Sequence, residues 1–515
     1  MKNTIRLFIS MLALCWLAVF PACEKDFPVE ADIEPYEFAS LDATGGAWKP
    51  VLLSSAGQIA IPEATDVASA AYQAELADLK TTSAQLTAEQ QAAIRYWGSN
   101  PIVRWNEIAR ELTAKYNLTP APNADGTYPA PNANDPGTYP KFPFAHPPYA
   151  CRALAYWGAA QYDALIATWH YKYQYNRPAP YTTDASIQTH LPKNALPSYP
   201  SDGAVVAAVS KTVLSALFPL EKDFLAEKAA ECQNAQRWAG LNVASDISAG
   251  DSLGRAVAAV FLARAGSDGM KSAQTPKPVS DSIRAAAEAR WGWHWENLES
   301  PQRPVGITPF FGRVKPWCIP NVEAVRPVPP PAPGSAEFQA AAAELQRIAD
   351  NLTTKQRAIA NFWSDGLGTY TPPGHWNRFA SDLIVQYRLN PLRSARTLAY
   401  MNMAIMDAGI SCWDAKYYYH YPRPSQAIPG FKTILGIPNF PSYTSGHSTF
   451  SSAAAVVLGH IFPAEKARCD AWAEEAAESR IYAGIHYRFD AEVGITQGKA
   501  VGQYALERAA ADGGE

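Results

Sequence analysis

The sequence predicts an all-α protein made of two helical bundles that arose by duplication of one unit. Three observations predict it. Ala-rich stretches place apolar residues three and four positions apart, while alternating strand-like runs are nearly absent. The chain also matches itself: Leu86-Thr87 and Trp97 recur as Leu352-Thr353 and Trp363, 266 residues on, and Trp105-Asn106 recurs as Trp376-Asn377 at an offset of 271. Finally, Ala155-Tyr156, Asp163-Ala164, Trp169 and Lys172 recur as Ala399-Tyr400, Asp407-Ala408, Trp413 and Lys416, all at an offset of 244. Phe218-Pro219, Ala239-Gly240 and Gly254 continue the match at that same offset, as Phe462-Pro463, Ala483-Gly484 and Gly498.

The N-terminus reads as an export signal. Lys2 and Arg6 precede a short apolar run, Leu7 to Phe20, that breaks at Pro21-Ala22-Cys23. That layout suits a cleaved leader better than a spanning helix. Residues 1–22 are therefore expected to be removed. The small residue before Cys23 resembles a bacterial lipobox, so Cys23 is expected to carry a lipid and anchor an exported protein at the outer membrane, with the cell surface as one of its two faces. Glu24-Lys25-Asp26 resembles the export tag of surface lipoproteins.

Residues 23–69 are read as a tether and lead-in, 70–266 as the first bundle, 267–334 as a Pro-rich linker ending in Val328-Pro329-Pro330-Pro331-Ala332-Pro333-Gly334, and 335–515 as the second bundle. Helical periodicity is clearest in Ser335 to Ile348, Ala380 to Arg388, Ser394 to Trp413, Thr449 to Ile461 and Glu465 to Glu478. The stretch Asn123 to Tyr139 holds turn signals and no period, and reads as a loop.

Composition narrows the function. The chain has 515 residues, 48% of them hydrophobic, enough for large buried cores. With 44 Lys and Arg against 48 Asp and Glu, the net charge of −4 argues against a nucleic-acid partner and against a protein lying on anionic lipid. Membrane association is expected through the Cys23 lipid alone. Beyond the leader and Cys23 there remain Cys151, Cys232, Cys318, Cys412 and Cys469, an odd number without CxxC spacing, so neither a zinc site nor a disulfide framework follows. They read as buried small residues.

The two copies differ where chemistry would be. The second has Lys416, Arg423-Pro424, Pro441 to Ser448 with Ser445-Gly446-His447, then Ser479-Arg480, His486 and Asp490. The first has Lys172, Arg177-Pro178 with two residues missing, Asp202-Gly203-Ala204, Gln236, Asn242 and Asp246. Both histidines are gone there. A full polar set in one copy and its loss in the other predict one active site and one supporting bundle.

Lys416, Arg423 and Arg480, the Ser445 hydroxyl and the backbone N–H groups opening a helix near His447 together suit a tetrahedral oxyanion. Arg forks match its oxygens, and a helix N-terminus favours negative charge. One histidine can attack or coordinate the central atom while the other moves a proton. Asp490, four residues after His486, would share its helical face and orient its ring.

The pattern Lys416-x6-Arg423-Pro424, Ser445-Gly446-His447 and Ser479-Arg480-x5-His486-x3-Asp490 resembles the signature shared by type 2 phosphatidic acid phosphatases, bacterial class A acid phosphatases and vanadium-dependent haloperoxidases. The doubled bundle is similar to the haloperoxidases, and Trp413-Asp414-Ala415-Lys416 and Ser479 to Asp490 resemble the chloroperoxidase and bacterial iodoperoxidase branch. The resemblance implies a vanadium chloroperoxidase-like fold and vanadate as cofactor, with phosphate able to occupy the same site. His486 would supply the axial nitrogen to vanadium, or be the phosphorylated nucleophile of a phosphatase. Lys416, Arg423, Arg480, Ser445 and the Gly446 amide would hold the equatorial oxygens, with Lys416 polarising bound peroxide. His447 would be the acid/base. Trp413 and Phe440 would line the halide side, ordinary packing being the other reading of both.

Three functions follow: a haloperoxidase making hypohalous acid from halide and hydrogen peroxide, a secreted acid phosphatase hydrolysing phosphate monoesters through a phosphohistidine, or a non-catalytic oxyanion-binding surface lipoprotein. The remaining histidines read as structural, with His420, inside the Lys416 to Arg423 loop, the one expected near the pocket rim.

Overall fold

The computed structural model describes residues 32–98, 100–118, 145–299 and 305–515. The expected leader, Cys23 with its export tag and the loop 123–139 lie outside the described residues. Among those residues there is no strand.

The first copy supplies α1 (Ala70–Ala84), α2 (Ala88–Trp97), α3 (Pro101–Tyr116), α4 (Pro147–Tyr175), α5 (Asp202–Leu217), α6 (Lys222–Trp238) and α7 (Ala244–Ala265). Helix α8 (Lys277–Trp291) follows, and the second copy then repeats the series as α9 (Ala336–Asp350), α10 (Thr354–Phe362), α11 (Thr371–Gln386), α12 (Pro391–Tyr419), α13 (Gly446–Ile461), α14 (Lys466–Tyr482) and α15 (Arg488–Ala510). The duplication is kept to the residue where it matters. Helices α4 and α12 are each 29 residues long and begin 244 residues apart, and α5 and α13, 16 residues each, keep that offset.

The start signals repeat as well. Thr87 and Thr353 each close a capping box with the Gln three residues on, satisfying helix-end N–H groups that would otherwise be orphaned. Ser201 and Ser445 cap α5 and α13, and Pro147 and Pro391 stand at the first position of α4 and α12, where a missing N–H costs nothing.

The two bundles are not separate bodies: Ile33–Glu515 forms one compact unit, and of the N-terminal unit Met1–Asp32 only Asp32 is described. The reason is the seam between α4 and α12, whose residues are buried almost end to end. A Cβ on Gly158 of α4 would lie 3.2 Å from the Leu398 carbonyl of α12, so the helices meet at backbone distance.

Each long helix also carries a buried clamp. Asp163 accepts the N–H groups of Val51, Leu52 and Leu53, and Asp407 those of Trp317, Cys318 and Ile319. Burial pushes both carboxyls up to about 6. The two straps are 266 residues apart, so the repeating unit reaches into segments that periodicity assigns to the tether 23–69 and the linker 267–334. That second segment also contains α8 and contributes Ile307 to the cavity described below. It is a wall of the fold rather than a spacer.

Candidate functional site

Helix α12, the loop after it, the start of α13, the end of α14 and the start of α15 converge on one cavity of about 380 Å³. Trp413, Phe440, Gly446, His447, Arg480 and His486 line it. Lys416, Arg423, Ser445 and Asp490 stand behind them, each at most 1% exposed.

His486 precedes α15 instead of lying on it. The expected shared helical face is therefore not what joins it to Asp490: the Gly484 turn, at φ 72°, brings the ring back over the helix start. There Asp490 Oδ2 accepts the Tyr487 N–H at 3.2 Å, takes the Ser442 hydroxyl, and lies 2.9 Å from His486 Nδ1. With Nδ1–H donated to the carboxylate, the lone pair resides on Nε2, 3.2 Å from Arg423 Nη1. Burial first, then the nearby Arg423 and Lys416 charges, hold His486 far below the ordinary histidine range. It is a neutral imidazole whose oriented Nε2 lone pair accepts from Arg423 Nη1.

The three cations are placed by carbonyls. Lys416 Nζ donates to Pro441, Ser442 and Thr444 and so braces the loop leading into α13, which puts it behind the chamber wall. Arg423 reaches the carbonyls of Phe440 and Ile485. Arg480 reaches that of Ala360, and its Nε donates to the Ser479 hydroxyl. Among the described residues no carboxylate makes an ion pair with any of the three. Burial lowers Lys416 and takes each guanidinium down to about 10.

Phe440 lies under two of these charges, 5.1 Å from Lys416 Nζ and 5.2 Å from the Arg423 guanidinium carbon, and packs on Trp413 at 4.9 Å between ring centroids. Trp413 donates its indole N–H to Ile307 O at 3.0 Å.

Ser445 Oγ accepts the Ser448 N–H as the cap of α13, leaving its own proton to donate. A Cβ on Gly446 would meet nothing closer than 3.7 Å, so packing does not demand glycine there, and its absence leaves the helix-end N–H open. Buried unpaired cations, a hydroxyl and a helix N-terminus fit a vanadate or phosphate oxyanion. By contrast, no group of three His, Cys, Asp or Glu among the described residues forms a divalent-cation site.

Asp365 and His375 belong to the site although they lie outside the sequence signature. Asp365 Oδ2 lies 3.5 Å from His447 Nε2, and Asp365 Oδ1 lies 3.1 Å from His375 Nδ1, which stacks on Trp363. Burial raises the Asp365 carboxyl, but the His375 and His447 hydrogen-bonding groups outweigh it and hold the group well below the carboxylate range. Burial and Arg480 take His447 down to about 4, against the pull of Asp365. A signal existed: the first copy has Ser99 and Arg104 at the matching positions. His146, read as structural, caps α4 and also reaches the cavity wall. His420 is not at the rim: it ends α12 in the left-handed region at φ 50°, and its Nδ1 accepts the Trp295 N–H at 2.9 Å.

The first copy is closed by its own residues. Arg177 pairs with Asp246, and Lys172 lies 3.0 Å from Asp202. A Cβ on Gly203, the counterpart of His447, would lie 2.6 Å from Gln236 Cδ, and the cavity there measures about 60 Å³.

Residues 396–509, within the second bundle, match the model of the PAP2 superfamily. Over roughly three quarters of its length the chain shares the fold of solved bacterial vanadium-dependent peroxidases. A solved bacterial vanadium-dependent iodoperoxidase is 23% identical over 70% of this chain and 91% of its own, with a TM-score of 0.56. A holo-type bacterial vanadium-dependent chloroperoxidase is 14% identical over 77% and 99%, with a TM-score of 0.50. No curated protein matches the sequence at a significant level.

Proposed function

We propose that this protein is a vanadate-dependent haloperoxidase that oxidises halide with hydrogen peroxide to hypohalous acid. The observation that carries it is the set of three buried cations, Lys416, Arg423 and Arg480, with no carboxylate partner among the described residues, beside a neutral His486. Burying such charges unpaired costs several kcal/mol each, a cost that a bound oxyanion offsets. The likeness to iodoperoxidase and chloroperoxidase structures across most of both chains, and the aromatic wall of Trp413 and Phe440, favour peroxide chemistry over ester hydrolysis.

Bound at His486, vanadate would activate hydrogen peroxide toward halide attack without changing its own oxidation state; the sum is peroxide, halide and one proton giving hypohalous acid and water. The chain supplies the rest. Asp490, itself held by Ser442, fixes the ring so that Nε2 is the nitrogen that would bind the group. Arg423, Arg480, the Ser445 hydroxyl and the Gly446 N–H would hold the oxyanion with donors already in position, and Lys416 would add positive potential from behind the loop it braces. His447, neutral and on the chamber wall, would serve as the acid/base toward peroxide, with Asp365, 3.5 Å from its Nε2, stabilising the ring when it is charged.

A phosphatase reading draws on the same Nε2, which can attack phosphorus as readily as it can ligate vanadium. Purified protein assayed for peroxide-dependent oxidation of iodide, bromide and chloride, with and without vanadate loading, beside hydrolysis of an aryl phosphate, separates the two. Vanadate-dependent oxidation that His486→Ala abolishes is expected. Phosphate release that vanadate inhibits, with no oxidation, would overturn the proposal.

A further inference from the structure

The first bundle, closed as a site of its own, still reaches the cavity of the second. Asn117, His146 and Pro147, all from the first copy, stand on its wall. Asn117 also does something the other two do not. Buried just after α3, it spans the loop that joins α10 to α11: its Nδ2 donates to Gly366 O at 2.9 Å and to Thr369 O at 3.0 Å, and its own carbonyl accepts the Gly368 N–H at 2.7 Å. Three hydrogen bonds from one residue thus bracket a loop segment that begins directly after Asp365.

That loop is one that needs holding. Asp365 stands at φ 43° and Thr371 at φ 64°, in the left-handed region that a residue with a side chain keeps only where its surroundings impose it. His375 turns the Asp365 carboxylate from one side, whereas Asn117 fixes the backbone that carries it. The placement leaves little tolerance. Asp365 Oδ2 lies 3.5 Å from His447 Nε2, at the outer limit of a hydrogen bond, so a shift of a few tenths of an ångström decides whether the two groups meet. Duplication alone does not call for asparagine here: at the offset of 271 the counterpart of Asn117 is Arg388, whose carbonyl accepts the Ala39 N–H of the lead-in instead.

We infer that Asn117, in the bundle without a site of its own, is a positioning residue for the candidate site: it clamps the Asp365 loop and, through Asp365, fixes the ring of His447. The inference rests on His447 as acid/base, a role that the haloperoxidase and phosphatase readings share. It separates proton movement from oxyanion binding, because Arg480 is held by the Ala360 carbonyl on α10, ahead of the loop, and Arg423 by carbonyls of Phe440 and Ile485. Loosening the clamp therefore acts on the rate and not on the hold.

Asn117→Ala tests this in the full chain. Turnover number, in whichever of the two reactions the protein catalyses, should fall by roughly ten- to hundredfold, the scale expected for a catalytic group misplaced by about 1 Å. Phosphate affinity by calorimetry should stay within about twofold. In an Asp365→Ala background the same change should cost nothing further, which a direct role of Asn117 or a general loosening of the fold would not produce. Asp246→Asn, which weakens the first bundle elsewhere, should leave turnover unchanged. Ring-nitrogen NMR of histidine-labelled protein supplies a readout without turnover: the His447 signals, identified by their loss in His447→Gln, should move in Asn117→Ala as they do in Asp365→Ala. Should Asn117→Ala fail to fold, Asn117→Ser, too short to span both carbonyls, takes its place. Unchanged His447 signals, an equal loss in the Asp365→Ala background, or phosphate affinity that falls with turnover overturns the inference. Absence of both reactions in the unaltered protein would overturn the haloperoxidase reading, and the ring signals would still decide the role of Asn117.

Discussion

Arg177 and Asp246 form a direct ion pair in the first bundle, whereas their counterparts in the second, Arg423 and Asp490, do not touch. The carboxylate that neutralises the guanidinium in one copy is turned in the other to orient His486. That one re-aiming separates a self-sufficient polar cluster from one that needs an external anion. It follows that the chain should bind one phosphate or vanadate, not two. At an anion concentration one hundred times the dissociation constant, stability should rise by about 2.7 kcal/mol. Arg480→Gln should weaken binding at least tenfold, and a calorimetric stoichiometry of two would sink the account.

Removing the counter-ion in the first bundle should be costly even though no chemistry is lost. Asp246→Asn leaves Arg177 buried, with Nε and Nη1 already lacking partners. Breaking a buried pair from one side costs about 3–5 kcal/mol. Urea unfolding of the variant should show that loss, and a change below about 1 kcal/mol would mean that water reaches the pair.

His420 provides a pH test away from the oxyanion. Burial takes it down to about 3, so it is neutral when folded and accepts the Trp295 N–H, while in the unfolded chain it protonates near 6.5. Its contribution to stability is therefore fully present above about pH 6.5 and falls as pH drops toward 3, by about 1.4 kcal/mol per unit. The first copy uses Asn176 at the same left-handed helix end, so His420→Asn preserves the backbone. At pH 7.5 the variant should be less stable by about 1–3 kcal/mol through the orphaned N–H. By pH 4.5 that difference should shrink or reverse. A constant difference across the range would show that His420 is charged in the folded protein.

The seam gives a fourth test. Gly158→Val forces a side chain against the Leu398 and Ala399 backbone and should lower stability by about 1–3 kcal/mol. Because α4 and α12 share one interior, the unfolding should remain a single transition. Two separated transitions would contradict the shared core.

Much of this was legible in the sequence because duplication supplies an internal control. Constant offsets located both bundles, and the loss of His447 and His486 counterparts located the candidate site. What escaped notice depends on chain paths that spacing does not encode. Asp365 and His375 approach His447 from the segment around α11, and nothing in the signature points to them. Asp490 lies four residues after His486, which reads as one helical face, yet a glycine turn produces the contact. His420 sits between two site residues in sequence, but the end of α12 turns its ring toward Trp295. The segment 267–334 reads as a spacer because proline dominates its end, whereas Asp407 gathers three of its N–H groups.

The seam between α4 and α12 also bears on how such a molecule can change over time. Asp246 and Gln236 fill the first pocket, yet that half is not dispensable, because its longest helix walls the interior of the half that holds the candidate site. Duplication here behaves as a ratchet: the copy without a candidate site is bound by architecture, so a substitution on its inner face should cost stability where one on its outer face should not.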